Sequence, residues 1–168
     1  MKPQKGSYPS YFENYIPLVK EDNLIEALEV NWSHLSNGLK KVSPEMENFA
    51  YAPGKWTIKQ VVCHIMDTER IFAYRALRFA RKDPQQPLPF EENDYAAAVD
   101  LSRRSLPDLL VEFGTVRIAT QALFAGFNDK ELLRNGVTAG ANCSVLALGF
   151  TICGHATHHL HVIQERYL

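Results

Sequence analysis

Cysteine is scarce in this sequence: three in 168 residues, an odd number with no Cys-x-x-Cys pair. That argues against a disulfide framework and suits a reducing cytoplasm. Cys63 and Cys153 accordingly read as small buried residues. Neither sign of charge is in excess, the formal net charge being −1, so neither nucleic acid nor a membrane surface is expected as a partner. Long apolar runs are missing as well. The longest, Val145 to Cys153, falls far short of the roughly 20 residues that a membrane-spanning helix needs. Met1 to Ser10 lack the charged-then-apolar layout of a secretory signal. There are no internal repeats, low-complexity tracts or linkers, and the alternating β-branched pattern of strands is missing.

What is present is apolar residues, 46% of the chain, at helical spacing. The length fits one domain, 1–168, with a sizeable core. The first helical segment runs from about Asp22 to Lys41, with Leu24, Ala27, Leu28, Trp32, Leu35 and Leu39 on one face. The second begins at Thr57, where Thr57-Ile58-Lys59-Gln60 is a capping-box pattern, and continues to about Arg81. The third spans about Ser105 to Phe127, with Ser105 as cap and Pro107 in the first turn. The fourth starts near Ser144 and runs to the C-terminus. Four such helices predict an all-α fold, a four-helix bundle. The connection from Arg81 to Ser105 is long, carries Pro84, Pro87 and Pro89, and is expected to hold a short helix at Asp94 to Val99. That length permits a lengthwise crossover with the second and third helices parallel.

Histidine carries the chemistry. His155 and His159 are four apart within the last helix, so both imidazoles leave it on nearly the same side, about 6 Å apart along the axis. They share a stripe with Leu148 and Val162, and His64 shares one with Ile71. All three are therefore expected to face inward, where a histidine needs a hydrogen bond, a carboxylate or a metal. Three imidazoles would leave positions open for water or substrate, the pattern of catalytic zinc. The competing reading is three core histidines satisfied by hydrogen bonds. His158 and His161 lie off the stripe and read as rim or surface residues, His158 being the alternate ligand; His34 reads as structural or exposed.

Other site patterns are absent. Ala156 follows His155, so there is no His-Glu-x-x-His; the residues three before His64, His155 and His159 are Val61, Ile152 and Ala156, so there is no Glu-x-x-His pair. Phosphate-cradling glycine loops and the Gly-x-Ser-x-Gly elbow are missing too. A mononuclear site is thus expected over a two-metal carboxylate site.

Trp56-Thr57-Ile58-Lys59-Gln60-Val61-Val62-Cys63-His64, Glu69-Arg70-Ile71-Phe72-Ala73-Tyr74-Arg75, Pro89-Phe90-Glu91-Glu92-Asn93-Asp94 and Gly154-His155-Ala156-Thr157-His158-His159 together resemble the DinB-like/YfiT-like superfamily. Tyr11 to Ile16 also look like members of that group, and the resemblance covers nearly the whole chain. It implies an up-down-down-up bundle, often a homodimer, with a divalent metal, zinc or nickel, on His64, His155 and His159. It further implies a metal-dependent enzyme that transfers a low-molecular-weight thiol, such as bacillithiol or mycothiol, to a small electrophilic substrate, or hydrolyses that substrate. The alternatives are a non-catalytic metal-binding stress-response protein and a structural or interaction bundle.

Around that centre, Asp67 and Thr68 lie one turn from His64 and could orient a bound water, although Asp67 suits a solvated or helix-pairing role nearly as well. Arg75 and Arg78 share the His64 stripe further along and suit recognition of an acidic group by a guanidinium fork; an ion pair to Glu or Asp is the favoured rival. Trp56 is expected to pack at the entry to the second helix, with substrate contact as second choice. Tyr11 and Tyr15 read as packing residues that could line a pocket mouth.

Overall fold

The computed structural model describes residues 1–138 and 140–168. Helix boundaries follow the local capping chemistry. Asn23 accepts hydrogen bonds from the backbone N–H groups of Ile25 and Glu26 and starts α1, Leu24–Leu39. Thr57 and Gln60 cap each other reciprocally at the start of α2, Ile58–Ala80. The connection that follows holds the short α3, Glu92–Ala98, two residues ahead of its expected start. A second capping box, Ser105 with Asp108, opens α4, Leu106–Ala125. The one-turn α5, Asp129–Leu132, precedes α6, Val145–Arg166, whose cap is Ser144.

Strands are present, contrary to the reading of the sequence. Between α5 and α6 lies an antiparallel hairpin of β1, Asn135–Thr138, and β2, Ala141–Ser144, in the register Asn135 to Ser144 and Thr138 to Ala141. Four residues are too few for a period of two to stand out. The hairpin lies on the end of α2, where a Cβ at Gly136 would come 2.1 Å from the Phe79 ring.

Four long helices form the bundle. α2 packs against α6 and α4, and α1 packs against the same two. Helix directions follow from particular contacts. Tyr167, just beyond α6, donates to the carbonyl of Trp56, just before α2, so these two helices are antiparallel. Lys59, early in α2, donates to the carbonyls of Leu101 and Arg104 just before α4, while Arg81 stacks on Phe127 just after it, so those two run parallel. Leu24 lies against Gly149 and Leu160 against Gly38, which makes α1 and α6 parallel. The crossover between the parallel pair therefore travels the length of the bundle.

A polar layer divides the apolar interior into two clusters. At its centre the Arg117 guanidinium, with no exposure, holds Glu69 through Nε–H (2.9 Å to Oε1) and Nη2–H (2.8 Å to Oε2). Its Nη1 donates to the Leu28 carbonyl and to Asn31 Oδ1, at 2.9 and 2.8 Å. Asn31 in turn donates to the Cys153 carbonyl and Thr157 Oγ1, each at 2.9 Å. One network thus ties all four long helices together at the level of His155.

The N-terminal segment closes over this level in two 3-10 turns, Ser10–Asn14 and Ile16–Leu18. Its backbone passes so close to α6 that a Cβ on Gly154 would sit 2.2 Å from the Tyr15 carbonyl oxygen. Glycine at that position is what lets the segment reach the residue next to His155.

Candidate metal centre

His64 projects from the second turn of α2, and His155 and His159 project from successive turns of α6. The antiparallel packing of these helices brings the three rings together. Nε2 of His155 stands 3.1 Å from Nε2 of His64 and 3.1 Å from Nε2 of His159. Ligand atoms of all three lie within 4.8 Å of one another. Metal–nitrogen bonds of about 2.0–2.1 Å, at angles between octahedral and tetrahedral, put ligand nitrogens roughly 2.8–3.4 Å apart, the spacing that His155 shows to each of the other two. The donor set fits a divalent ion for a second reason. A neutral imidazole has one N–H and one lone pair, so three Nε2 atoms turned toward one another cannot all be satisfied by hydrogen bonds among themselves. A cation at their focus serves all three.

Protonation states agree with this role. Burial pushes His64 down to about 4. Burial, reinforced by the neighbouring rings, pushes His159 down to about 3 and His155 well below the ordinary histidine value. All three are neutral at pH 7 and present lone pairs. Because the folded-state values are depressed, the metal-free protein keeps its full stability only above the unfolded value near 6.5. Stability is then lost as pH falls through about 4 toward 3. Chelator-treated wild type is expected to melt progressively lower between pH 7 and pH 4, and His159→Ala to show a shallower fall. Identical slopes for the two proteins would contradict this reading.

The histidines form the floor of a cavity of about 630 Å³, within the usual range for small-molecule sites. Trp56 lines it and packs on His64, ring centroids 4.8 Å apart. Tyr15 is buried against His155, with centroids 5.3 Å apart, and its hydroxyl lies 2.6 Å from that of Tyr11. Both tyrosines line the cavity, and Tyr11 is largely exposed at its edge. Thr68 lines it too, buried and, among the described residues, without a hydrogen-bond partner for Oγ1. Arg75 lies further along the same wall.

Other candidates lie elsewhere. Asp67 pairs with Arg70 at 3.3 Å and is not among the cavity-lining residues. Arg78 bonds Asp83 at 2.8 Å, also away from the cavity. His158 reaches the cavity wall between the rings of Tyr15 and His159 but stands outside the three-nitrogen cluster. His34 and His161 are exposed. Cys63, Cys143 and Cys153 are buried free thiols, pushed by burial up to about 11, 12 and 12, so none offers a thiolate at neutral pH. Sequence reasoning missed the Glu69–Arg117 pair. Glu69 follows Val62 and Met66 at helical spacing on a buried stripe, which was the available signal.

Residues 27–163 match the family model of the DinB superfamily. The chain belongs to the DinB superfamily. YfiT from Bacillus subtilis, described as a probable metal-dependent hydrolase with an unusual four-helix bundle topology, has a similar structure: TM-score 0.75 at 18% identity, over 98% of this chain and 90% of that one. The mycothiol-dependent maleylpyruvate isomerase is similar at TM-score 0.65 and 12% identity, over 82% of this chain. This DinB-superfamily chain spans 58% of that protein's length. No curated protein matches the sequence. Among the described residues, no helix is long and apolar enough to cross a membrane.

Proposed function

We propose that this protein is a metal-dependent enzyme that joins a low-molecular-weight thiol to a small electrophilic substrate. The observation that carries this reading is the convergence of His64, His155 and His159 on the floor of a cavity large enough for a small molecule. A divalent ion held there, zinc or nickel, supplies a Lewis acid that lowers the pKa of a coordinating thiol.

The protein's own part is holding and shielding. The two helices fix three neutral nitrogens on one side of the focus, leaving the cavity side free for ligand. Trp56, Tyr15 and Phe72 give the cavity apolar walls beside the histidines. In the reaction the thiol sulfur forms a bond to the electrophilic carbon, the leaving group departs with its bonding pair, and the thiol proton passes to solvent. The buried cysteines cannot act as this nucleophile, so the thiol comes from outside. Hydrolysis of the same kind of substrate is the second reading, and the similarity to YfiT favours it. Thiol transfer ranks first because Glu92, an exposed residue, is the one carboxylate lining the cavity among the described residues, whereas hydrolysis gains from a placed general base.

Protein loaded with zinc or nickel is expected to accelerate conjugation of bacillithiol or another small thiol to a model electrophile such as monochlorobimane. His159→Ala, under the same loading, is expected to lose that acceleration. Equal rates in the two proteins remove the transferase reading; metal-dependent cleavage of an ester without added thiol would replace it with the hydrolase.

A further inference from the structure

We propose that the cavity takes an elongated ligand bearing a carboxylate, which seats on the Arg75 guanidinium while the ligand's other end lies at the three histidines. The reacting end rests on the function proposed above; the anion end stands on separate observations. Arg75 is 7% exposed and lines the cavity. Its Nη1 donates to Thr138 Oγ1 at 3.1 Å and its Nη2 to the Leu88 carbonyl at 3.0 Å. Both partners are neutral, and Nε has none among the described residues. Among the described residues no Asp or Glu forms an ion pair with it.

The other deeply buried arginine shows how this fold treats a structural guanidinium. Arg117 has its carboxylate, Glu69, in bidentate contact, with further acceptors at Leu28 and Asn31. Arg75 is instead held in place by the hairpin and the crossover, near the rings of Phe72 and Phe90 at 5.6 and 5.9 Å from their centroids. It has no ion-pair partner among the described residues, and the exposed Glu92, which lines the same cavity, does not pair with it. A buried charge without a partner is costly, and a carboxylate entering the cavity would remove that cost through charge-assisted hydrogen bonds. The other buried side-chain polar atom without a partner among the described residues, Thr68 Oγ1, belongs to the same cavity.

Spacing along α2 sets the shape of the ligand. Thr68 and Arg75 follow His64 by four and eleven residues, which keeps all three on one face, at about 6 and 16 Å along the axis. The carboxylate is therefore several bonds removed from the reacting atom, as in a longer-chain acid or a thiol with a distal carboxylate, and not adjacent to it.

The test uses chelator-treated wild type, so that no metal can bind the carboxylate. Calorimetric titration with the straight-chain acids from butanoate to octanoate, each beside its primary amide, is expected to show the acids preferred roughly tenfold or more for at least one chain length, as a charge-assisted pair implies. Arg75→Gln is expected to abolish the preference. Equal binding of acid and amide by wild type, no binding of any acid, or a preference that survives in Arg75→Gln would each overturn the proposal. If Arg75→Gln does not fold, the wild-type acid-to-amide ratio decides alone. Should the acid preference hold while thiol conjugation fails, the anion site stands and the reaction falls. To tell whether substrate or thiol carries the carboxylate, the metal-loaded enzyme is assayed with 8-mercaptooctanoate against 8-mercaptooctanamide, and with a long-chain acidic electrophile against its amide. The member whose amide raises KM in wild type but not in Arg75→Gln is the one that Arg75 seats, and a KM unmoved by either amide would again overturn the proposal.

Discussion

His155→Ala is expected to remain folded and to lose its metal. Wild type incubated with zinc or nickel and then desalted should retain about one ion per chain, the stoichiometry of a single three-nitrogen site. The substitution should weaken affinity by well over 100-fold, because loss of a group that merely orients a ligand already costs roughly 10–100-fold. His155 is the decisive member because its Nε2 is the atom 3.1 Å from both of the others. Without it the cluster is reduced to one nitrogen from each of two helices. Folding should survive, since the ring is neutral when buried and its removal strands no charge. His158→Ala is the matched control: it alters a cavity-wall residue outside the nitrogen cluster and should leave stoichiometry unchanged. Elemental analysis of the three proteins reads the result. A wild type that retains neither metal, or a His155→Ala that retains as much as wild type, would end the metal reading and the function built on it.

The helices and the histidines were legible in the sequence because both depend on local rules. Thr57, Ser105 and Ser144 each satisfy backbone N–H groups within three residues, so their signals are short-range and readable. The i, i+4 spacing of His155 and His159 carries its own geometry, and the Ile71 stripe pointed His64 the same way. What could not be read depends on long-range contact. The Tyr15 backbone reaches Gly154 across the whole chain, and nothing near either residue announces it. The hairpin gains its place from Phe79 and from the Ser144 N–H bonding the Ser7 carbonyl, again distant partners. For Arg75 an ion pair was the favoured expectation, and the structure instead gives two neutral acceptors. Deciding between them needed the crossover and the hairpin in place.

The largest effect on stability is expected from the polar layer. Glu69→Ala would leave the Arg117 guanidinium buried without its carboxylate. Burial works against that charge, and the adjacent Glu69 outweighs it, so that the guanidinium is held above the ordinary arginine value. Breaking a buried ion pair from one side costs about 3–5 kcal/mol. For a chain of this size that corresponds to a fall in Tm of roughly 6–20 °C. Replacing both partners, Glu69→Leu with Arg117→Met, should recover much of the loss, since no charge is then stranded and the side chains fill similar volume. Recovery should be incomplete because Asn31 Oδ1 loses its donor. The consequence for the site follows from position. Asn31 fixes the Cys153 carbonyl and Thr157 on either side of His155, so the doubly substituted protein, although stable, should hold metal more weakly than wild type. Thermal melts of Glu69→Leu, Arg117→Met and the double variant, with metal titrations on the stable ones, separate the two effects. A double variant as unstable as the sum of the singles would show that the layer acts through packing, not through pairing of its charges.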